Sequence, residues 1–519
     1  MKLKICLIAF VLIVVTACKS NAQHTSVRKQ QPNIIYILAD DLGYGDVQSF
    51  NPEGKIATPN LDEMATNGVK FTDAHTSSAV CTPTRYGILT GRYNWRSELK
   101  SSVINGYSKS LIKQERTTIA EMLRTQGYKT AFIGKWHLGW DWKIDKESPN
   151  PNNPKLPPVV DFTAPIKNGP STHGFDYSFG FCGSLDMAPY VYVENDIPTM
   201  VPTEYTANKK KKFWRKGLTS DDFVHQTVLQ DLTDKAVTYI GKQAKEKTPF
   251  FLYFPLPAPH TPILPSEEFL GKSKTNEYGD FVMQVDDVVG QIRKELKRQG
   301  ISENTLLVFV SDNGCSPKAD FKELAEFNHK PSGFFRGYKA DIFEGGHRVP
   351  FIIEWPAKSL KNSSTDKTIC TTDFFATCAE ITGYKIKDDE AEDSFSMLPL
   401  IIEKNNIAIR EYTVHHSISG DFAIRKGDWK LIMCPGSGGW SYPRPRDIKR
   451  QNLDLPQMQL YNLKDDIGEA NNLIAVYPNK VAELKAALKK VILDGRSTSG
   501  TIQKNEGMDN WAQIKTIIN

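Results

Sequence analysis

Cysteine is sparse in this chain, with eight in 519 residues. Cys6 and Cys18 lie near the N-terminus and Cys81 sits in a motif of its own. Cys182, Cys315, Cys370, Cys378 and Cys434 remain, an odd set with no paired spacing. That argues against a disulfide framework and against a zinc cluster, and leaves buried free thiols as the expectation. A membrane-length apolar run is also missing: Ile5 to Ala17 is too short to cross about 30 Å of hydrocarbon as a helix. No dense basic stripe or nucleic-acid motif is present, and a net charge of +5 spread over the whole chain hints only at anionic ligands, so no nucleic-acid partner is expected. The run Lys209-Lys210-Lys211-Lys212 is the local exception and reads as a solvated loop. There is no internal repeat. With 40% hydrophobic and 24% charged residues, the composition is globular, which excludes disorder and collagen-like repeats as overall classes.

The N-terminus, MKLKICLIAFVLIVVTACKS, has two lysines, the apolar run, and small residues before Cys18. This is an export signal over residues 1–17. Val15-Thr16-Ala17-Cys18 resembles the bacterial lipoprotein cleavage box, which implies lipidation of Cys18 and a lipid anchor as the only membrane contact. The expected location is the outer membrane, on its periplasmic side or at the cell surface. A soluble periplasmic protein, cut at Ala22, is the alternative. Residues 18–31 form a polar tether.

At about 150 residues per domain the chain should hold at least two units. Apolar runs bounded by turn residues occur at Asn33–Ala39, Thr130–Ile133, Phe250–Phe254, Leu306–Val310 and Phe351–Trp355, the mark of strands buried on both faces. Between them lie helical patterns at Asn60–Asn67, Thr118–Gln126, Phe223–Lys242, Gly279–Arg298 and Thr371–Thr382. Such alternation predicts an α/β domain over residues 32–400, a mostly parallel sheet with helices on both sides, whose ligands bind beyond the carboxyl ends of the strands. The pattern then changes to short strands at Asp421–Arg425, Trp429–Met433 and Gln459–Asn462 and a helix at Asn479–Leu493, a small α+β unit over 401–519. Pro149–Pro158 reads as an insertion loop.

Asp40-Asp41 and Asp312-Asn313 follow two of the expected strands. Together they supply only oxygen ligands, which suits a hard divalent cation, with calcium favoured because four protein residues make a dedicated site. Cys81-Thr82-Pro83-Thr84-Arg85, continuing to Leu89-Thr90-Gly91-Arg92, resembles the signature of the formylglycine-dependent type I sulfatases, arylsulfatase-like and of the bacterial polysaccharide-degrading kind. Thr84 departs from it, since the family usually carries serine or alanine there. Further matching segments follow in order: Gly134-Lys135-Trp136-His137-Leu138-Gly139, His173-Gly174-Phe175-Asp176, Ala258-Pro259-His260-Thr261-Pro262, Ser311-Asp312-Asn313-Gly314, and Gly337-Tyr338-Lys339 running into Glu344-Gly345-Gly346-His347-Arg348. The resemblance extends from about Asn33 to the end of the chain.

The resemblance implies an alkaline-phosphatase-like fold, a large mixed sheet sandwiched by helices with a smaller C-terminal α+β subdomain. It implies oxidation of Cys81 to formylglycine by a formylglycine-generating enzyme, and adds Cys81 to the ligands of one Ca2+ per chain. It assigns Arg85 and Lys135 to stabilising the formylglycine and sulfate, His137 to breakdown of the sulfated hydrate, and His260 and Lys339 to contacting sulfate and protonating the leaving alcohol. His173, His415, His416 and Arg425 are candidate substrate contacts. A sulfate ester needs cations to hold its charge, a nucleophile, and an acid for the leaving oxygen. A hydrated aldehyde offers one hydroxyl to attack sulfur and another to expel sulfate afterwards, which a thiol cannot do. The expected substrate is a sulfated carbohydrate, polysaccharide or oligosaccharide, for example algal ulvan, carrageenan or fucoidan, or a host glycosaminoglycan. Two rivals remain at this point, a related metal-dependent phosphate-ester hydrolase and a non-catalytic glycan-binding lipoprotein. Cys81 in its signature counts against the first, and retention of His137, His260 and Lys339 against the second.

Overall fold

A computed structural model describes residues 31–150, 156–404, 407–508 and 510–518. The signal, Cys18 and the tether up to residue 30 lie outside the described residues. Strand Asn33–Ala39 runs through the middle of a ten-stranded sheet. It pairs in parallel with Phe250–Pro255 on one side and Thr305–Ser311 on the other. Lys129–Lys135 and Tyr177–Phe181 extend the parallel part, while Phe351–Glu354 and Val69–Phe71 add antiparallel strands beyond Thr305–Ser311. The sheet is therefore mixed, as in the alkaline-phosphatase-like architecture.

The central strand shows why it sits there. All but its first residue are buried, and period-two alternation sends Ile35, Ile37 and Ala39 into one apolar core and Ile34, Tyr36 and Leu38 into the other. The first core is closed by helices Pro59–Asn67, Val228–Gln243 and Glu277–Arg298, the second by Cys81–Thr90, Ile119–Thr125 and Phe374–Thr382. Thr118 caps helix Ile119–Thr125 by accepting from the Glu121 N–H while Glu121 reaches back to the Thr118 N–H, so two otherwise orphaned donors are satisfied. Helix Val228–Gln243 starts five residues later than its apolar pattern suggests, and Thr371–Asp373 is a 3-10 turn ahead of Phe374–Thr382.

A separate four-stranded antiparallel sheet comprises Thr413–His416, Phe422–Lys426, Trp429–Ile432 and Gln459–Asn462. Helix Pro478–Leu493 covers it through Leu484, Leu488 and Ile492. This is the smaller C-terminal unit, and it joins the large sheet in one compact body over Pro32–Asn519. The joint holds a buried polar cluster. The His75 and His347 Nδ1 atoms lie 3.0 Å apart, and the His347 and His415 rings stack at 4.0 Å. Around them Lys430 pairs with Glu344 at 3.0 Å and Glu469 at 2.9 Å, and Arg425 with Asp73 at 2.7 Å. Of the segment expected as an insertion loop, residues 151–155 lie outside the described residues; short strands Ile144–Lys146 and Val159–Val160, on either side of it in the chain, pair antiparallel. Among the described residues all six cysteines are free and buried, and no helix is long and apolar enough to cross a membrane.

Candidate active site

Parallel strands end together along one edge of the sheet, and the polar residues follow. Ala39 lies opposite Ser311, so Asp40-Asp41 and Asp312-Asn313 emerge side by side. The Asp312 N–H donates to Ala39 O at 3.0 Å and the Asp40 N–H to Ala258 O at 2.9 Å. Asp41 takes φ 65°, a left-handed conformation that aspartate tolerates better than most residues, and its N–H then reaches Asp312 Oδ1 at 3.2 Å. Asn313 Nδ2 donates to Asp41 Oδ1 at 2.7 Å. Gly314 is required by close approach, because a Cβ there would lie 1.9 Å from Gly345 O.

Cations meet these carboxylates from three other segments. Arg85, one turn after Cys81 in helix Cys81–Thr90, donates from Nη2 and Nε to Asp312 Oδ2 at 2.8 and 3.2 Å and from Nη1 to Lys135 O at 2.9 Å. Lys135, the last residue of its strand, pairs with Asp40 and donates to Ser184 Oγ at 3.1 Å. Lys339 pairs with Asp41 at 2.5 Å. Its loop is held by Lys339 N–H to Cys315 O at 3.0 Å and Ala340 N–H to Ala79 O at 2.8 Å, which ties it to both the segment leading into Cys81 and the Asp312 turn. Three buried carboxylates thus face three buried cations.

The histidines close one side. His137, at φ 52°, donates from Nε2 to Ile104 O at 2.9 Å, while its buried Nδ1 has no partner. His260 Nδ1 lies 2.5 Å from Thr261 O and 3.4 Å from Ser184 Oγ, and its Nε2 lies 3.6 Å from Asp41 Oδ2. Burial, reinforced by Lys135 and Arg85 at His137 and by Lys339 at His260, holds both imidazoles below their ordinary range and therefore neutral near pH 7. Burial opposes ionisation of Asp40, but Lys135, His260, Arg85 and Lys339 outweigh it and hold its carboxyl well below the usual range. Asp312 is pushed up to about 7 by burial and by the neighbouring charge of Asp40. Burial also raises the Cys81 thiol, with Lys135 and Lys339 pulling the other way.

The donor set fits a hard divalent cation. Asp40 Oδ1, Asp41 Oδ2 and Asn313 Oδ1 are buried without a hydrogen-bond partner, an expensive arrangement unless something electropositive faces them. An oxygen of Asp40, an oxygen of Asp41 and a nitrogen of His260 lie within 4.8 Å of one another. Thr84, the departure from the signature, is accommodated by donating from Oγ1 to Ser78 O at 2.9 Å.

The structure therefore brings Asp40, Asp41, Arg85, Lys135, His260, Asp312, Asn313 and Lys339 into one network, with Cys81 and His137 beside it. His173, His415, His416 and Arg425 do not join it by any hydrogen bond or ion pair among the described residues, and all four are buried. His173 is fully buried, with Nε2 3.2 Å from Ser110 Oγ and its ring stacked against Trp136. Burial takes its pKa down to about 4. His416 is buried beside Asn94. His415 and Arg425 belong to the polar cluster between the sheets, because alternation along their strands turns them inward. Ser184 and Asp186 were missed by sequence reasoning. They follow strand Tyr177–Phe181 at the same edge, Ser184 bridging Lys135 and His260, and Asp186 held below the usual carboxylate range where His260 and Arg215 overcome the effect of burial. Their signal was a Gly-Ser pair after a short aromatic strand, too weak to separate from a turn.

Residues 32–384 match the family model described as Sulfatase. The chain belongs to the sulfatase family. It is 32% identical to an N-acetylgalactosamine-6-O-sulfatase of Bacteroides thetaiotaomicron, an alignment covering 92% of this chain and 97% of that protein. It is 31% identical to the N-acetylgalactosamine-6-sulfatase of Rattus norvegicus, over 82% of this chain and 75% of the relative. A solved Bacteroides thetaiotaomicron structure designated 6S-sulf, connected with the metabolism of multiple glycosaminoglycans, superposes with TM-score 0.76 at 31% identity, covering 89% of this chain and 99% of that one. This sulfatase is thus a sulfuric ester hydrolase. Its family generally uses formylglycine and a divalent metal.

Proposed function

We propose that this sulfatase removes sulfate from a sulfated carbohydrate through formylglycine at position 81, with Ca2+ held by Asp40, Asp41, Asp312 and Asn313 and by the modified residue 81. The observation that carries the reading is the balance of three buried carboxylates by three buried cations around a motif cysteine. A divalent cation held by these oxygens would leave the site net positive, suited to a sulfate monoester, and would supply polarisation of its oxygens. Arg85 stays locked between Asp312 and the Lys135 carbonyl and fixes the pitch of the helix that carries residue 81. Lys135 and Lys339 present ammonium groups on either side of the nucleophile. Neutral His137 has a free Nδ1 able to take the hydrate's proton as sulfate is expelled. His260 and Lys339, both against Asp41, hold the sulfate; the Lys339 ammonium is the source of the proton that the leaving alcohol needs, and neutral His260 can relay it.

The names of the relatives support a 6-sulfated N-acetylgalactosamine unit as the first substrate to test, ahead of algal ulvan. We also propose export with a lipid anchor at Cys18, from the residues of the signal, and maturation by a formylglycine-generating enzyme. The test pairs mass spectrometry with turnover. Protein co-expressed with a cysteine-directed modifying enzyme should carry formylglycine at 81 and desulfate defined sugars. Cys81→Ser should fold and have no turnover. Activity surviving in that variant sinks the formylglycine mechanism.

A further inference from the structure

We propose that the cavity beside the two site histidines seats the neighbouring sugar of the glycan and selects one that carries an anionic group, with Lys109 and Lys216 as the specificity-determining side chains. This rests on the carbohydrate reading above and deepens it.

The cavity, about 920 Å³ in volume, abuts the histidine end of the site. Ile104, on its wall, supplies the carbonyl that holds His137 Nε2. Arg215, also on its wall, pairs with Asp186, whose carboxylate feels His260. One wall is aromatic: Trp140 and Trp142 meet edge to face at 5.4 Å, and Tyr107 stands half-buried beside them. The Tyr107 ring, backed by buried Trp140 and Trp142, suits the apolar face of a pyranose, and the volume falls within the roughly 300–1,000 Å³ of ordinary ligand sites.

Its charge is the informative part. Asp141 on the wall is already engaged by the Ser110 N–H at 3.1 Å and Asn168 Nδ2 at 2.7 Å, and Glu147 stands exposed. Lys109 and Lys216 are exposed and pair with no carboxylate among the described residues; Lys216 Nζ lies 5.4 Å over the Tyr205 ring. The strand that carries Lys216 cannot drift away from the cavity. Its Gly217 backs onto Ala188 so closely that a Cβ would come 2.0 Å from the Ala188 Cβ. From Lys216 the same chain runs back toward the Lys209–Lys212 turn, four residues or about 13 Å of extended backbone from Lys212, so the positive field continues outward along a chain of sugars.

The experiment uses the matured, metal-loaded enzyme and four probes: 6-sulfated N-acetylgalactosamine, a disaccharide in which that sugar neighbours a uronic acid, the same disaccharide with its carboxyl reduced, and one with a second sulfate on the neighbour. Wild type should favour at least one acid-bearing disaccharide over the reduced one in kcat/KM. Lys109→Ser/Lys216→Ser should lose about tenfold on that substrate, as expected for two partly exposed charge contacts, and keep its rate on the monosaccharide. A loss confined to the uronate assigns a carboxylate, and one confined to the disulfated probe assigns a sulfate. Equal handling of charged and reduced disaccharides, or an equal loss on every probe, overturns the inference alone. Hydrolysis of an aryl sulfate with no turnover of any sulfated sugar overturns the carbohydrate reading and the inference together.

Discussion

Asp312 does two jobs that substitution can separate. It is buried and accepts from Arg85 at 2.8 Å and from the Asp41 N–H at 3.2 Å, while also standing among the proposed metal ligands. At an effective dielectric of about 20, opposite charges 2.8 Å apart attract by about 6 kcal/mol. Relief of repulsion from Asp40 offsets part of that. Stranding a buried guanidinium is then expected to cost about 3–5 kcal/mol. Asp312→Ala should therefore fail on both counts, with a lower thermal midpoint and no metal retained. Asp312→Asn keeps an acceptor for the Asp41 N–H and some of the Arg85 contact, so it should melt closer to wild type while losing at least about a hundredfold in turnover, the scale seen when one preorganised charge contact is removed. Calorimetry, elemental analysis and turnover of a chromogenic aryl sulfate read the three consequences. If the alanine variant melts with wild type, Arg85 does not depend on this carboxylate. If the asparagine variant retains metal and rate, Asp312 is not a ligand.

The histidines should divide by leaving group: His260→Ala should slow a sulfated sugar far more than an activated aryl sulfate, because only the alkoxide needs a proton. His137→Ala should slow both and accumulate a sulfate adduct on residue 81, visible by intact-protein mass spectrometry; equal losses for His260→Ala or a missing adduct in His137→Ala would show that the roles are misassigned. Acid should destabilise the joint between the sheets. Burial holds His75, His347 and His415 below the ordinary imidazole range, so below about pH 6.5 the unfolded chain binds protons that the folded one refuses. Their stabilising share is full above that pH and is lost as pH falls, by up to about 4 kcal/mol per pH unit for three groups. His415→Asn, which can still donate to Thr76 O as His415 Nδ1 does at 3.1 Å, should flatten the pH dependence of the urea midpoint by about a third, and an unchanged slope would remove the cluster from the account.

Much of the fold was legible because buried parallel strands write themselves as continuous apolar runs. Asn33–Ala39 came through residue for residue, and the other four central strands within two residues at each end. Short edge strands such as Val69–Phe71 and Thr413–His416 have too few residues to show a period. The site residues were legible by type and by place at strand ends, whereas side-chain direction was not. His173 and Arg425 looked no different in sequence from His137 and Arg85. What separates them is whether alternation and packing turn a side chain toward the sheet edge or into the interior.

Cys81 is only 3% exposed, and every residue of the helix it begins is buried. A sulfate ester is small enough to reach it; a second protein is not. For the formylglycine proposed at position 81, oxidation must therefore be finished while this segment is still an open chain. A molecule that folds first keeps its thiol, and no later encounter with the modifying enzyme can mature it. Under that proposal the number of active molecules is settled by a race between modification and folding, so a lasting mixture of active and inert copies is the expected mark of any host in which folding wins.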